Sequence, residues 1–150
     1  MMRMRFSVLP GQGEPNGFDL GDMLCFGDLG EATSQGHTPD QGMMIYLSVT
    51  LLLDNLRQFL KGSNKVLSYT GVDTSFNITV RRIKNGMFSV SAGNTLLDRV
   101  GLDELTQAVL AAAEEFATCV FDLPEDDAAR HDYLAAINDF RTLTNNSTAK

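Results

Sequence analysis

Phe76-Asn77-Ile78-Thr79-Val80-Arg81-Arg82-Ile83-Lys84-Asn85-Gly86-Met87-Phe88-Ser89-Val90-Ser91-Ala92 decides the fold class. Phe76, Ile78 and Val80 alternate with Asn77, Thr79 and Arg81, the period of two expected of a strand with one buried face. Lys84-Asn85-Gly86 marks a turn. A two-residue loop would set Phe88 and Val90 across from Ile83 and Arg81 and put the two apolar faces on opposite sides. A three-residue loop repairs this: with Ile83 opposite Met87, Val80 meets Val90 and Ile78 meets Ala92 on one face, and Gly86 takes the left-handed backbone. The outward face then carries Asn77, Thr79, Arg81 and Ser89. Residues 65–92 are thus predicted as an antiparallel meander. With helical periodicity on both sides of it, the fold class is α+β, an antiparallel sheet packed against two to three helices.

On the N-terminal side, residues 43–49 form a run of large apolar and β-branched residues that suits a buried strand. A helix is expected to follow directly, capped by Ser48 or Thr50. Its core stripe is Leu52, Leu53, Leu56, Phe59 and Leu60, Lys61 complements its C-terminal dipole, and Gly62 closes it in the left-handed region. Further back, Met2, Met4, Phe6 and Val8 alternate with Arg3, Arg5 and Ser7 and predict a first strand ended by Pro10 and Gly11. Phe18, Leu20, Leu24 and Phe26 predict a second extended stretch, and the glycine-rich residues 27–42 a long exposed loop. On the C-terminal side, Leu102, Leu105, Val109, Ala112, Phe116 and Cys119 step by three and four along one side of a long helix. A last helix is expected with Asp122 as cap, Pro124 in its first turn and Glu125 completing a capping box. Its inward positions would be Tyr133 or Leu134, Ile137 and Phe140, and residues 144–150 read as a polar, frayed tail.

The chain has 150 residues, 43% of them apolar, the usual size of one domain with its own core. Its net charge of −7 is unevenly spread. Residues 103–150 hold ten of the nineteen acidic side chains against three basic ones, about −7 by themselves, whereas residues 49–102 sum to about +4 and residues 1–48 to about −4. Such an acidic chain opposes nonspecific attraction to nucleic acid or anionic membrane, because either would need clustered Lys and Arg. It leaves a cationic protein partner open. No stretch approaches the length of a membrane span or a signal-peptide core, so the cytoplasm is the expected compartment.

Neither cysteine, Cys25 or Cys119, has the spacing of a disulfide framework or a metal site, and His37 and His131 stand apart from both. The acidic run Asp122, Glu125, Asp126, Asp127 lacks the alternation and central glycine of a calcium loop. There is no Gly-x-Ser-x-Gly elbow, and Gly11, Gly13 and Gly17 are interrupted by Glu14 and Pro15 with no Gly-Lys-Ser/Thr after them. The sequence thus points to no catalytic, cofactor or metal residues. Arg81, Arg82 and Lys84 at the hairpin tip could clamp an anionic group, or simply discourage strand-to-strand aggregation. The predicted outward sheet face supplies no aromatic residues for stacking RNA bases.

One further feature is the order of elements around Thr50-Leu51-Leu52-Leu53-Asp54-Asn55-Leu56-Arg57-Gln58-Phe59-Leu60 and Gly71-Val72-Asp73-Thr74-Ser75-Phe76. Across roughly residues 18–118 this layout resembles the wall-associated type of immunity protein found in bacterial contact-dependent toxin systems. The resemblance implies a cytoplasmic antidote that binds and blocks a toxin domain, often a nuclease acting on RNA or DNA, and it carries over no site residue. An acidic protein suits such a role, since nuclease domains present basic surface to phosphate. The candidate partner-binding residues are Asp122, Glu125, Asp126, Asp127, Asp132, Glu114 and Glu115, with Asp28, Glu31 and Asp40 of the loop. If the partner is acidic, Arg81, Arg82 and Lys84 become the candidates instead. Two alternatives stay open: a homodimeric or larger scaffold using a sheet edge, and a hydrolase of unrecognised type.

Overall fold

The computed structural model describes residues 1–37 and 40–148, with the side chains of 146–148 excepted. Its order is β1 (Arg3–Val8), β2 (Leu20–Phe26), β3 (Glu31–Thr33), β4 (Met43–Met44), α1 (Ile45–Lys61), β5 (Val66–Thr70), β6 (Asn77–Arg82), β7 (Met87–Ala92), β8 (Thr95–Gly101), α2 (Leu102–Val120) and α3 (Ala128–Thr148). This is an α+β fold with two antiparallel sheets. One has the order β1-β2-β3 with β4 also paired to β2, and the other is the meander β5-β6-β7-β8.

The meander has the register its alternation requires. Ile78 faces Ala92, Val80 faces Val90, and the Ile83 amide donates to the Met87 carbonyl at 2.9 Å. The three-residue loop places both Asn85 (φ 64°) and Gly86 (φ 71°) in the left-handed region. The meander also continues past residue 92: β8 supplies Leu97 and Val100 to the core, a strand masked in sequence by Asp98 and Arg99.

Several local expectations give way. Residues 43–49 are not a strand; only Met43 and Met44 are extended, and α1 begins at Ile45. The first turn of α1 buries Ile45, Tyr46, Ser48 and Val49 and so is enclosed on most sides, and a turn of that kind reads in sequence like a buried strand. Ser48 and Thr50 consequently lie inside the helix. Ser48 Oγ accepts the Val72 amide at 2.9 Å and Thr50 Oγ1 donates back to the Tyr46 carbonyl, while the true cap position, Met44, offers no side-chain bond. Gly62 is extended at φ −96°, ψ −166° rather than left-handed, and closes α1 by donating its amide to Gln58 and Phe59.

Residues 27–42 are not uniformly an exposed loop, for Glu31–Thr33 pair with β2 and Ser34 is fully buried. Asp122 does not cap the last helix either. Asp127 does, accepting the Ala129 amide at 2.8 Å, and residues 121–127 form a turn before it. The predicted tail is helical to Thr148, and Thr144 is buried with its hydroxyl donated to the Phe140 carbonyl; residues 149 and 150 lie outside the described residues. On α2, Leu102 is exposed and Cys119 half-buried, and Thr106, Leu110, Ala113 and Val120 join the inward face.

The core sits between the sheets and the three helices. α1 packs on β5 and on the first sheet, α2 on β1 and β8, and α3 lies across α1 and α2. Phe116 of α2 joins the first sheet to the other two helices, with ring centroids 6.2 Å from Phe6 of β1, 5.3 Å from Tyr46 of α1 and 5.9 Å from Tyr133 of α3. The two sheets are tied where the β2–β3 turn meets β8: the Leu29 amide donates to the Leu97 carbonyl and the Asp28 amide to the Asp98 carboxylate. No helix of the described residues is long and apolar enough to cross a membrane.

All three tyrosines are buried with their hydroxyls bonded to carbonyls, Tyr46 to Cys119, Tyr69 to Ser48 and Tyr133 to Ala113. Burial pushes the Tyr46 phenol up to about 12 and raises Tyr69 and Tyr133 as well. A phenol raised in the folded chain stays protonated where the unfolded chain ionises, near pH ~10, so stability is full below that and falls as pH climbs above it. Tyrosinate absorbance is therefore expected to rise together with the loss of circular dichroism. A phenolate signal near pH ~10 from a chain with native dichroism would contradict the burial.

Candidate protein-docking surface

The acidic side chains singled out from sequence are dispersed by the fold. Asp122, Glu125 and Asp126 stand exposed on the α2–α3 turn, and none has a side-chain partner among the described residues. Asp127 is committed to structure: besides capping α3 it accepts the Gly17 amide at 3.0 Å and anchors the β1–β2 connection. Asp132 lies on α3 near Asp54 of α1, whose carboxyl is raised chiefly by burial; Arg57 opposes that shift, and Asp139 and then Asp132 add to it. Glu114 is paired with Arg141 of α3 at 3.0 Å, whereas its neighbour Glu115 projects from another flank of α2. Of the loop acids, Asp28 pairs with the N-terminal ammonium, the Asp40 carboxylate accepts the Gly42 amide, and Glu31 begins β3.

The basic tip divides in the same way. Arg81 and Lys84 are exposed, but Arg82 turns inward and serves the end of α1. Its Nη2 donates to the carbonyls of Phe59 (2.8 Å) and Gly62 (3.2 Å), its Nε donates to Asn64, and its plane lies 4.8 Å from the Phe59 ring and 5.4 Å from Phe88. A guanidinium meets those carbonyls as a fork while stacking, which an ammonium cannot do. Arg82→Lys is accordingly expected to lower stability by about 1–2 kcal/mol in urea denaturation, with Arg81→Lys close to neutral.

Two concavities accompany these surfaces. A cleft of about 600 Å³ opens between the sheets, with Leu24, Phe26, Phe76 and Ala92 among its walls and His37 at its rim. His37 Nε2 is engaged with the Thr33 carbonyl at 2.7 Å. The second, about 480 Å³, is a groove between the start of β1 and one flank of α2. Met2 and Met4 form one wall, Ala108, Ala111 and Ala112 the floor of the other, and Glu104 and Glu115 stand at its ends. Glu104, Ala108, Ala111 and Glu115 recur at intervals of four, three and four, so their common flank is legible in sequence. That β1 runs beside it is not.

The titratable interior is occupied with structure. Asp22, buried, accepts the Ser34 hydroxyl at 2.6 Å, and that hydroxyl accepts the Met23 amide. Asp98 accepts the amides of Asp28 and Arg99. Burial pushes the Cys25 thiol up to about 12, which keeps it from acting as a thiolate near neutral pH. His131 Nε2 is held by the Glu125 carbonyl at 2.6 Å. Among the described residues, no three His, Cys, Asp or Glu side chains converge to hold a metal ion. What the described surface offers chemically is charge, an unpaired strand edge and two apolar concavities. Comparison with protein-family models, curated proteins and solved structures yields no match to this chain.

Proposed function

We propose that this chain is a noncatalytic binding protein, and most concretely an immunity protein that neutralises a cognate toxin domain by covering a basic, substrate-binding surface. The observation that carries the reading is the asymmetry of charge satisfaction in residues 103–148. There Arg130 donates to the Leu123 carbonyl and stacks 5.2 Å from Phe121, and Arg141 is held by Glu114 and Asn138. Asp103, Glu115, Asp122, Glu125 and Asp126 meanwhile stand exposed with no side-chain partner among the described residues. Basic charge is drawn inward and acidic charge displayed, which suits a surface built to meet a cationic partner.

The test begins with the tagged full-length chain, expressed in its native host and recovered through a moderate-salt wash. The partner is then expressed with and without this chain. Neutralisation requires a one-to-one complex, growth rescued by co-expression, and an association rate that falls as salt is raised. Recovery of the chain alone, or of a partner that is harmless by itself, would reject the proposal. Self-association has one observation in its favour: β5 is an edge strand without charge or proline, and Val66, Ser68 and Thr70 are exposed along it. Concentration-dependent sedimentation with no partner would favour that reading.

A further inference from the structure

We propose that the groove between β1 and α2 is the docking site itself, and that it takes an extended basic segment of the partner as an added antiparallel strand on β1. This rests on the binding-protein reading above and names its interface. The strand edge comes first. The Leu9 amide donates to the Leu20 carbonyl, so in the β1–β2 register the mutually bonded pairs are Ser7 with Asp22, Arg5 with Leu24 and Arg3 with Phe26. Met2, Met4 and Phe6, all buried as whole residues, therefore turn their N–H and C=O groups away from β2, to the side on which β1 has no paired strand. One of these donors is already answered: the Met2 amide donates to the Glu104 carboxylate at 3.1 Å. That carboxylate stands where the carbonyl of an incoming strand would stand.

The other outer edges offer less. β8 is covered by the β2–β3 turn, whose Leu29 amide takes the Leu97 carbonyl, and β3 is only three residues long. β5 presents an unpaired edge as well, but the concavity beside it is lined by Asn55, Gln58, Phe59, Asn64, Val66 and Leu67 and offers a basic segment no carboxylate, whereas β1, which carries Arg3 and Arg5, has Asp103, Glu104 and Glu115 alongside. Beside β1, the flank of α2 from Asp103 to Glu115 runs for about 18 Å, room for five or six residues of extended chain. Its floor is alanine and methionine, which admits a backbone closely, and its rim carries Asp103, Glu104 and Glu115 together with Arg3 and Gln107.

Side chains alternate along an added strand. Those on the side of Met2 and Met4 would meet α2 and its carboxylates, and those on the other side would pass Arg3 and Arg5, both exposed. The occupant is therefore a segment with Lys or Arg at every second position and uncharged residues between them. This is strand addition to a sheet edge, with affinity from the backbone and selectivity from the alternate side chains.

The probe is an N-acetylated, C-amidated octapeptide alternating lysine and valine, titrated into the isotope-labelled full-length chain and followed by amide NMR shifts. Saturable shifts are expected at Met2, Met4, Phe6 and along the α2 flank, with a Kd no weaker than about 1 mM for so short a strand. Glu115→Lys and Ala111→Arg, both at exposed positions, should each weaken the peptide about tenfold or more, and Glu14→Lys, an exposed acid outside the candidate surface, should leave it unchanged. Equal shifts from an alternating glutamate and valine peptide, shifts confined to the 122–126 turn, or none at β1 would each overturn the proposal. So would concentration-dependent shifts at β1 without peptide, which would assign the groove to a second copy. The titration needs no toxin, so its failure leaves neutralisation standing, and failure of neutralisation leaves the titration readable.

Discussion

Phe116→Ala is expected to lower stability by about 4 kcal/mol, the largest effect of any single substitution considered. Phe116 is 2% exposed, and its ring is shared among Phe6, Tyr46 and Tyr133, so truncation opens a void bordered by β1, α1 and α3. Rings packed edge-on or tilted also contribute beyond their buried area. The void has little means of collapsing, because Tyr46 and Tyr133 are tethered through their hydroxyls to Cys119 and Ala113 of the same helix. Guanidinium denaturation measures this directly. A loss under about 2 kcal/mol would mean that the layers close over the gap and that Phe116 is not their common contact.

The second large effect is expected from the smallest change. A Cβ placed on Gly27 would lie 2.0 Å from the Leu97 carbonyl oxygen, 2.5 Å from its carbon and 2.8 Å from the Asp98 Cβ. All three belong to or adjoin the backbone of β8, so no side-chain rotation relieves the clash. Gly27→Ala must push the β2–β3 turn away from β8 and stretch the Leu29 to Leu97 and Asp28 to Asp98 hydrogen bonds that tie the sheets. About 3 kcal/mol is the expected loss, the upper range for overpacking a site that cannot yield. Gly42→Ala is the control. Its Cβ would approach nothing closer than 3.4 Å, the Asp40 carboxylate, and should change stability by no more than about 0.5 kcal/mol. Hydrogen exchange sharpens the comparison: in Gly27→Ala, protection should fall first at Leu29. Uniform loss of protection with no weak point there would refute this account of the junction.

These residues also show where reading along the chain succeeds. The β6–β7 register follows from alternation together with the handedness that Gly86 allows, both properties of fewer than twenty consecutive residues. The faces of α1 and α2 follow from spacing of three and four, and Val109, Ala112, Phe116, Leu52, Leu53 and Leu56 are buried as that spacing requires. The errors cluster where a residue's surroundings come from distant sequence. Ser48 looks like a helix cap until Val72, twenty-four positions away, is brought to its hydroxyl. Asp122 and Asp127 look equivalent until Gly17 is delivered to one of them. Arg82 looks like a free cation at a hairpin tip until the end of α1 arrives beneath it. The candidate surface behaves alike: its net charge is legible residue by residue, but the seven carboxylates read as one patch belong to separate neighbourhoods.

The sequence by itself determined the α+β class, the meander and its three-residue loop, the inward stripes of the helices and the acidic C-terminal third. Each depends on side-chain period, turn chemistry or charge count, which act between residues a few positions apart. Only the tertiary structure decided that there are two sheets, that Gly27 is pressed against β8, that Asp127 caps α3, and that the unpaired edge of β1 lies beside the alanine flank of α2. Those outcomes turn on close approaches between segments up to about a hundred residues apart, Met2 to Glu104 among them. Packing at near-crystalline density sets such approaches, and no local pattern encodes them.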